Sequence, residues 1–324
     1  MDVFNFWVFE RIEIKFNQYF YEWNLQFFKK KTFYILRFFH NQYKIKTTKI
    51  LLEVIKMHSN ISKEMDFRFP PIVLIKSNNK PEEAIGPKEG KGGCVMSFIA
   101  QTIAKRKTTC FGRENITCGG ISSGFGWGDG FKDEDALDFQ ASFLSCGVDS
   151  APDLEEYETR LGYMKKHTAE MFTEGERIFT DFETAKENIK NRPIYDTEDY
   201  VIFKGLENLE DGEIPLSVIF TVNAVELTAL IQLNTSFRTK DTYILTPQAS
   251  ACQAIGNFTF KQAESDDPKP ILGPIDFAGK NKMKHFIPSE YMQLSMPWKL
   301  FLKLEKVSEK SVLQTDLWKK FKQQ

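Results

Sequence analysis

The reading of the fold turns on Ile72-Val73-Leu74-Ile75 and on three segments after it: Cys94-Val-Met-Ser-Phe-Ile-Ala-Gln-Thr-Ile-Ala104, Thr108-Thr-Cys-Phe111, and the turn Cys118-Gly-Gly-Ile121. Pro70-Pro71 introduces the four aliphatic residues and Asn78-Asn79-Lys80-Pro81 turns the chain after them, the pattern of a strand buried on both faces. Cys94 to Ala104 has an apolar face at helical spacing. Thr108 to Phe111 reads as a second strand, leading to Cys118. A similar order recurs later. Leu216-Ser-Val-Ile-Phe-Thr-Val222 reads as a buried strand, Ala224 to Leu233 as a helix, and Thr242-Tyr-Ile-Leu245 as a strand leading to Cys252-Gln-Ala-Ile255-Gly256. The expectation is an α/β or α+β fold made of two related strand–helix–strand halves around a shared cleft. The halves lie at about 66–150 and 212–324, and a charged, helix-patterned segment at 151–211 joins them. Cys118 and Cys252 fall at matching places, and Cys94 has no counterpart in the second half.

Composition bounds the rest. The 324 residues suffice for one large domain or two ordinary ones, and 42% apolar with 27% charged residues is the balance of a globular protein. A net charge of −1 argues against nucleic acid as a partner. No run of eighteen apolar residues suggests a membrane-spanning helix. Five cysteines are too few and too uneven for a disulfide scaffold, so reduced thiols and a cytoplasmic location are expected.

Residues 1–56 differ from the remainder. They hold 16 of the aromatic residues and carry about +5, leaving about −6 for the rest of the chain. A basic, aromatic segment could lie on a membrane surface, and it lacks the small-residue cleavage site of a signal peptide. The reading adopted is a start of translation at Met57 or Met65, with 57–324 forming the domain.

Three cysteines carry the chemical expectation: Cys94, Cys118 and Cys252. Three thiolates suit zinc with an open fourth position, or an iron–sulfur cluster with one iron free; the plain alternative is three packed thiols. Cys94 falls at a helix start, where backbone N–H groups favour a thiolate. Cys110 reads as packing, and Cys146 as no more than an extra ligand or redox partner. Gly119, Gly120, Gly124 and Gly126, followed by Trp127, mark a glycine-rich stretch that matches neither GxxxxGK[ST] nor GxGxxG. Such backbone can approach a ligand closely. A second reading is therefore a binding module for a planar cofactor or small anionic ligand, with Trp127 stacking on it. A third is a thiol redox protein with a reversible Cys118–Cys252 disulfide.

The chain resembles a known family. Pro71-Ile-Val-Leu-Ile-Lys76, Cys94-Val-Met, Cys118-Gly-Gly with Gly124-Phe-Gly126, Val218-Ile-Phe-Thr-Val-Asn223, Cys252-Gln-Ala-Ile-Gly256, Ala263-Glu-Ser265 and Met296-Pro-Trp-Lys-Leu-Phe301 are similar to the uncharacterised prokaryotic family called domain of unknown function 169. The similarity covers about residues 66–323. The family pattern implies cysteine at the positions of Cys94, Cys118 and Cys252, and not at those of Cys110 and Cys146. It supplies no settled activity.

Overall fold

The computed structural model describes residues 59–88, 93–116, 118–127, 133–195 and 198–322; the leader at 1–56 and Met57 lie outside them. In chain order the described part begins with α1 (Asn60–Met65), β1 (Ile72–Ser77), α2 (Val95–Lys105), β2 (Thr109–Gly112) and α3 (Gly119–Gly124). Four helices come next: α4 (Glu134–Leu144), α5 (Leu154–Gly162), α6 (Lys166–Glu174) and α7 (Phe182–Lys190). Then come β3 (Tyr200–Gly205), β4 (Ser217–Val222), α8 (Ala224–Thr235), α9 (Ala251–Gln253) and α10 (Thr259–Glu264). The chain closes with β5 (Ile271–Gly273), α11 (Phe277–Met283), β6 (Met292–Pro297), α12 (Trp298–Ser308) and α13 (Asp316–Lys322).

The strands form one open sheet in the order β2-β3-β1-β4-β6-β5, antiparallel at every pairing. β1 and β4 are the two central strands, with Ile72 opposite Ile219 and Leu74 opposite Ser217. Covered on both faces, they need apolar side chains in both directions, which is why they read as continuous apolar runs rather than alternations. The ladders are prolonged by matching bonds. Leu206 N–H donates to Pro71 O at 3.0 Å beside β1, and Trp298 N–H donates to Leu216 O at 2.9 Å beside β4.

Two single parallel bridges flank the sheet. Ile85 donates to Thr108 O (2.9 Å) and accepts from Cys110 N–H (3.0 Å); Leu245 donates to Pro270 O (2.9 Å) and accepts from Leu272 N–H (2.8 Å). The second bridge corrects the expected strand at Thr242–Leu245. Only Leu245 pairs there, with β5, and the segment forms no strand of its own. β3, β5, β6 and α11 have no counterpart in the sequence reading.

One face of the sheet carries the main core. Ile72, Leu74, Phe203 and Ile219 meet Val95, Phe98 and Ile99 of α2, with Phe125, Ile255 and Phe260. On the other face, Phe220 packs on Phe301 of α12 at 6.1 Å between ring centroids. A satellite core joins α4 and α7 through Leu137, Ala141, Ala185 and Ile189. α1 is tied to α12 by Asn60 Nδ2 donating to Ser308 Oγ at 2.7 Å.

α9 and α10 are separated by the turn Ala254–Phe258, where Gly256 leaves helical geometry (φ −86°, ψ −105°). The reason is steric. A Cβ on Gly256 would stand 1.9 Å from the Gly124 carbonyl oxygen, and one on Gly124 would stand 2.5 Å from the Cys252 carbonyl oxygen. Gly256→Ala should therefore lower stability by about 3 kcal/mol. Gly162→Ala, with nothing within 4 Å of the new methyl, should stay within about 0.5 kcal/mol of the parent. Urea unfolding of both variants checks this; equal midpoints would show that the approach is not tight.

Candidate functional site

Each of the three predicted cysteines lies at or near the start of a helix, and all of them meet the main core. Cys94 is the residue before α2, held extended (φ −155°, ψ 132°) so that its carbonyl accepts from Ser97 and Phe98 N–H. Its thiol also faces the N–H groups of Met96 and Ser97. Cys118 precedes α3, and its carbonyl accepts from Ile121 (3.1 Å) and Ser122 (3.0 Å). Cys252 lies in α9, is 9% exposed, and has the N–H of Val95 directed at its sulfur.

Gly120 brings two of the thiols to one place. A Cβ on it would lie 3.7 Å from Cys118 Sγ and 4.0 Å from Cys252 Sγ. Cys94 feels the charge of Cys118, and Cys252 feels both. The three side chains, distant in sequence, thus share one neighbourhood at the α2–α3–α9 junction. Among the described residues, however, no three His, Cys, Asp or Glu side chains stand at the spacing that a single metal ion requires.

Burial dominates the electrostatics. It pushes the Cys94 thiol up to about 11 against the opposing N–H groups, and pushes Cys252 well above its ordinary value, with the neighbouring thiols and Asp276 adding to the shift. Both are neutral thiols at pH 7. Nucleophilic cysteines show the opposite shift.

The structure adds a residue that the sequence reading missed. Asp276 precedes α11 and is 4% exposed. Its Oδ2 accepts from Ala251 N–H at 3.2 Å, and the N–H groups of Asp276 itself and of Gly279 also face the carboxylate. Burial pushes this carboxyl up to about 6. Its charge reaches both Cys94 and Cys252. Beside it, Glu176 accepts from Phe277 (3.1 Å) and Ala278 (3.0 Å) N–H and is pushed up to about 7, by burial first and by Asp276 second. Glu176 borders a cleft of about 480 Å³ lined also by Met171, Phe277, Lys280 and Asn281. An Asp directly before Phe277-Ala-Gly279 is a helix-start signal that would have located Asp276.

The first part of the glycine stretch is helical. Gly119 and Gly120 open α3 and Gly124 closes it, while Gly126 turns the chain at φ +75°; residues 128–132 lie outside the described part. Trp127 is 1% exposed, its Nε1 donates to Glu198 O at 2.9 Å, and its ring meets Phe111 and Phe125. The ring expected to stack on a ligand is thus occupied as a core anchor. Cys110 is fully buried in β2, whereas Cys146 sits apart between Thr180 O (3.5 Å) and Arg177 (3.6 Å).

The raised carboxyl carries a pH consequence. The folded Asp276 binds its proton more tightly than the unfolded chain does, so its contribution is fully present below about pH 4 and is lost as pH rises through about 6. Asp276→Asn removes that loss. The variant should be more stable than the parent at pH 7.5, by as much as about 3 kcal/mol, and should lose the advantage at pH 4. Denaturation at the two pH values checks it; a variant equally destabilised at both would refute the buried-charge account.

No curated protein and no solved structure matches the chain. A family profile does, over residues 60–307, from the start of α1 into the last turn of α12, and so takes in Cys94, Cys118, Cys252 and Asp276. The chain belongs to the DUF169 family, described as "uncharacterised ArCR".

Proposed function

We propose that Cys94, Cys118 and Cys252 hold a thiophilic metal centre of the iron–sulfur type. The observation that carries this reading is the gathering of three thiols, two of them around the bare Cα of Gly120, in a buried site. Packing alone gives small thiols no reason to share one spot, and no cation among the causes acting on Cys94 and Cys252 offsets the charge that they would acquire on ionising.

A metal supplies that charge. It takes thiolates even where the free thiols are held neutral, and protons leave as it binds. Zinc needs its sulfurs about 2.3 Å from a common point, an arrangement that the three side chains do not form. A cluster distributes its thiolate anchors over different irons. Three thiolates on a four-iron cluster would leave one iron for another ligand, and such a centre supplies Lewis-acid or one-electron chemistry. The protein's own part is to exclude water, through Trp127, Phe125 and Ile255, and to fix the three sulfurs on helix starts. The raised Cys94 and Cys252 speak against a thiol–disulfide role, which needs a thiolate near neutral pH.

The chain purified without oxygen should carry iron and acid-labile sulfide with broad visible absorption. Cys118→Ser and Cys252→Ser should lose them, and Cys146→Ser should keep them. Zinc alone would refute the cluster, and metal content unchanged in Cys118→Ser would refute the three-thiol site.

A further inference from the structure

The cleft between the end of α6 and α11 takes none of its lining from the three thiols. Its volume, about 480 Å³, lies in the range of roughly 300–1,000 Å³ that holds a small organic molecule. The walls are of two kinds. Phe277, the first residue of α11, and Met171 of α6 are apolar. Phe277 is 81% exposed, a whole aromatic ring left at the cleft rather than in the core. Met171 is held in place by Asn281, whose Nδ2 donates to its Sδ at 3.9 Å. Glu174 and Glu176 bring negative charge to the cleft, Lys280 and Lys284 positive charge.

Glu176 is fixed from both ends. Its N–H donates to Phe143 O at 2.6 Å, and Arg177 N–H donates to Ser145 O at 3.0 Å, both at the end of α4. Gly175 before it takes φ +72°, and a Cβ there would stand 2.3 Å from Ser145 O and 2.5 Å from Gly147 N. Backbone lies on backbone, so the turn that carries Glu176 has no room to shift. At the other end, Oε2 accepts from Phe277 N–H and Oε1 from Ala278 N–H. One bond on each oxygen leaves each with a further lone pair.

The cations nearby are engaged elsewhere. Arg177 Nη1 donates to Cys146 Sγ at 3.6 Å. Lys280 Nζ donates to Ser289 O at 3.0 Å and also to Tyr291 O. The groups acting on the Glu176 carboxyl include no cation; burial and Asp276 push it up to about 7 against the two N–H groups. A rigid, desolvated carboxylate with acceptor capacity to spare thus stands beside an exposed ring and a thioether.

We propose that this cleft binds a small organic amine, with the ammonium paired to Glu176 and the apolar body between Phe277 and Met171. Hydrogen bonds between an ammonium and a carboxylate are among the strong ones. The face of Phe277 attracts the same positive charge, and the Met171 sulfur packs well against carbon. An anionic ligand is disfavoured. It would meet Glu174 and Glu176, and Lys280 already donates to two carbonyls. The inference goes beyond the metal-centre reading and does not depend on it.

The test titrates the full chain by calorimetry at pH 8, where the Glu176 carboxyl is ionised. The probes are phenethylamine, its neutral counterpart phenethyl alcohol, and the anion phenylacetate. Phenethylamine should bind at one site, about tenfold or more tighter than either of the others. Glu176→Gln keeps a carbonyl for the α11 N–H groups but loses the charge, and should weaken phenethylamine by about tenfold. Phe277→Ala, at an exposed position, should weaken it by about threefold. Circular dichroism confirms that both variants are folded. Tighter binding of phenylacetate would assign the cleft to anions and overturn the proposal. Equal binding of all three probes, undiminished binding to Glu176→Gln, or no binding of phenethylamine would overturn it as well.

Discussion

The close approach of α3 to the α9 turn is the constraint on which the site depends. Backbone meets backbone there, at Gly124, Cys252 and Gly256, with no room for a single methyl group. The contact fixes Cys252 against the segment that carries Cys118 and forces the helical run after Ala251 out of regular geometry at Gly256. The irregularity keeps α10 on the sheet, where Thr259 Oγ1 donates to Ser295 Oγ of β6 at 3.1 Å. Two glycines therefore set the separation of two thiols. Glycine at these places reflects a distance requirement, not flexibility.

Much of this architecture was legible in the sequence. β1 and β4 are central strands of an open sheet, and the apolar runs Ile72–Ile75 and Val218–Phe220 announced them. α2, α7 and α12 emerge from apolar periodicity, and α8 from its Asn223–Glu226 capping box. β5 was hidden because three residues carry no period. β6 mixes Gln293 and Ser295 with apolar residues, since those polar side chains bond to Thr221 and Ser217 across the sheet rather than to water. β3 had an adequate signal in Tyr200-Val-Ile-Phe203, overlooked beside the helices that precede it. Asp276 was missed for a different reason. A lone carboxylate in a polar-looking stretch reads as surface until tertiary packing buries it.

Backbone pairing is less visible in a sequence than side-chain type. The Ile85 bridge to Thr108 and Cys110 has the same bonds as the Leu245 bridge to Pro270 and Leu272, and no residue pattern marks either. Gly119 to Gly124 form α3, and their small side chains serve the packing of α3 against α9.

The three thiols span Cys94 to Cys252, and the central strands of the sheet beneath them pair only across long stretches of chain, as β1 does with β4. Such non-local pairing closes late in folding. A ribosome must release most of the chain before Cys252 can meet Cys94. A nascent or truncated polypeptide therefore offers separate, solvated thiols to oxidants, and the burial that holds Cys94 and Cys252 protonated is acquired only with the finished fold.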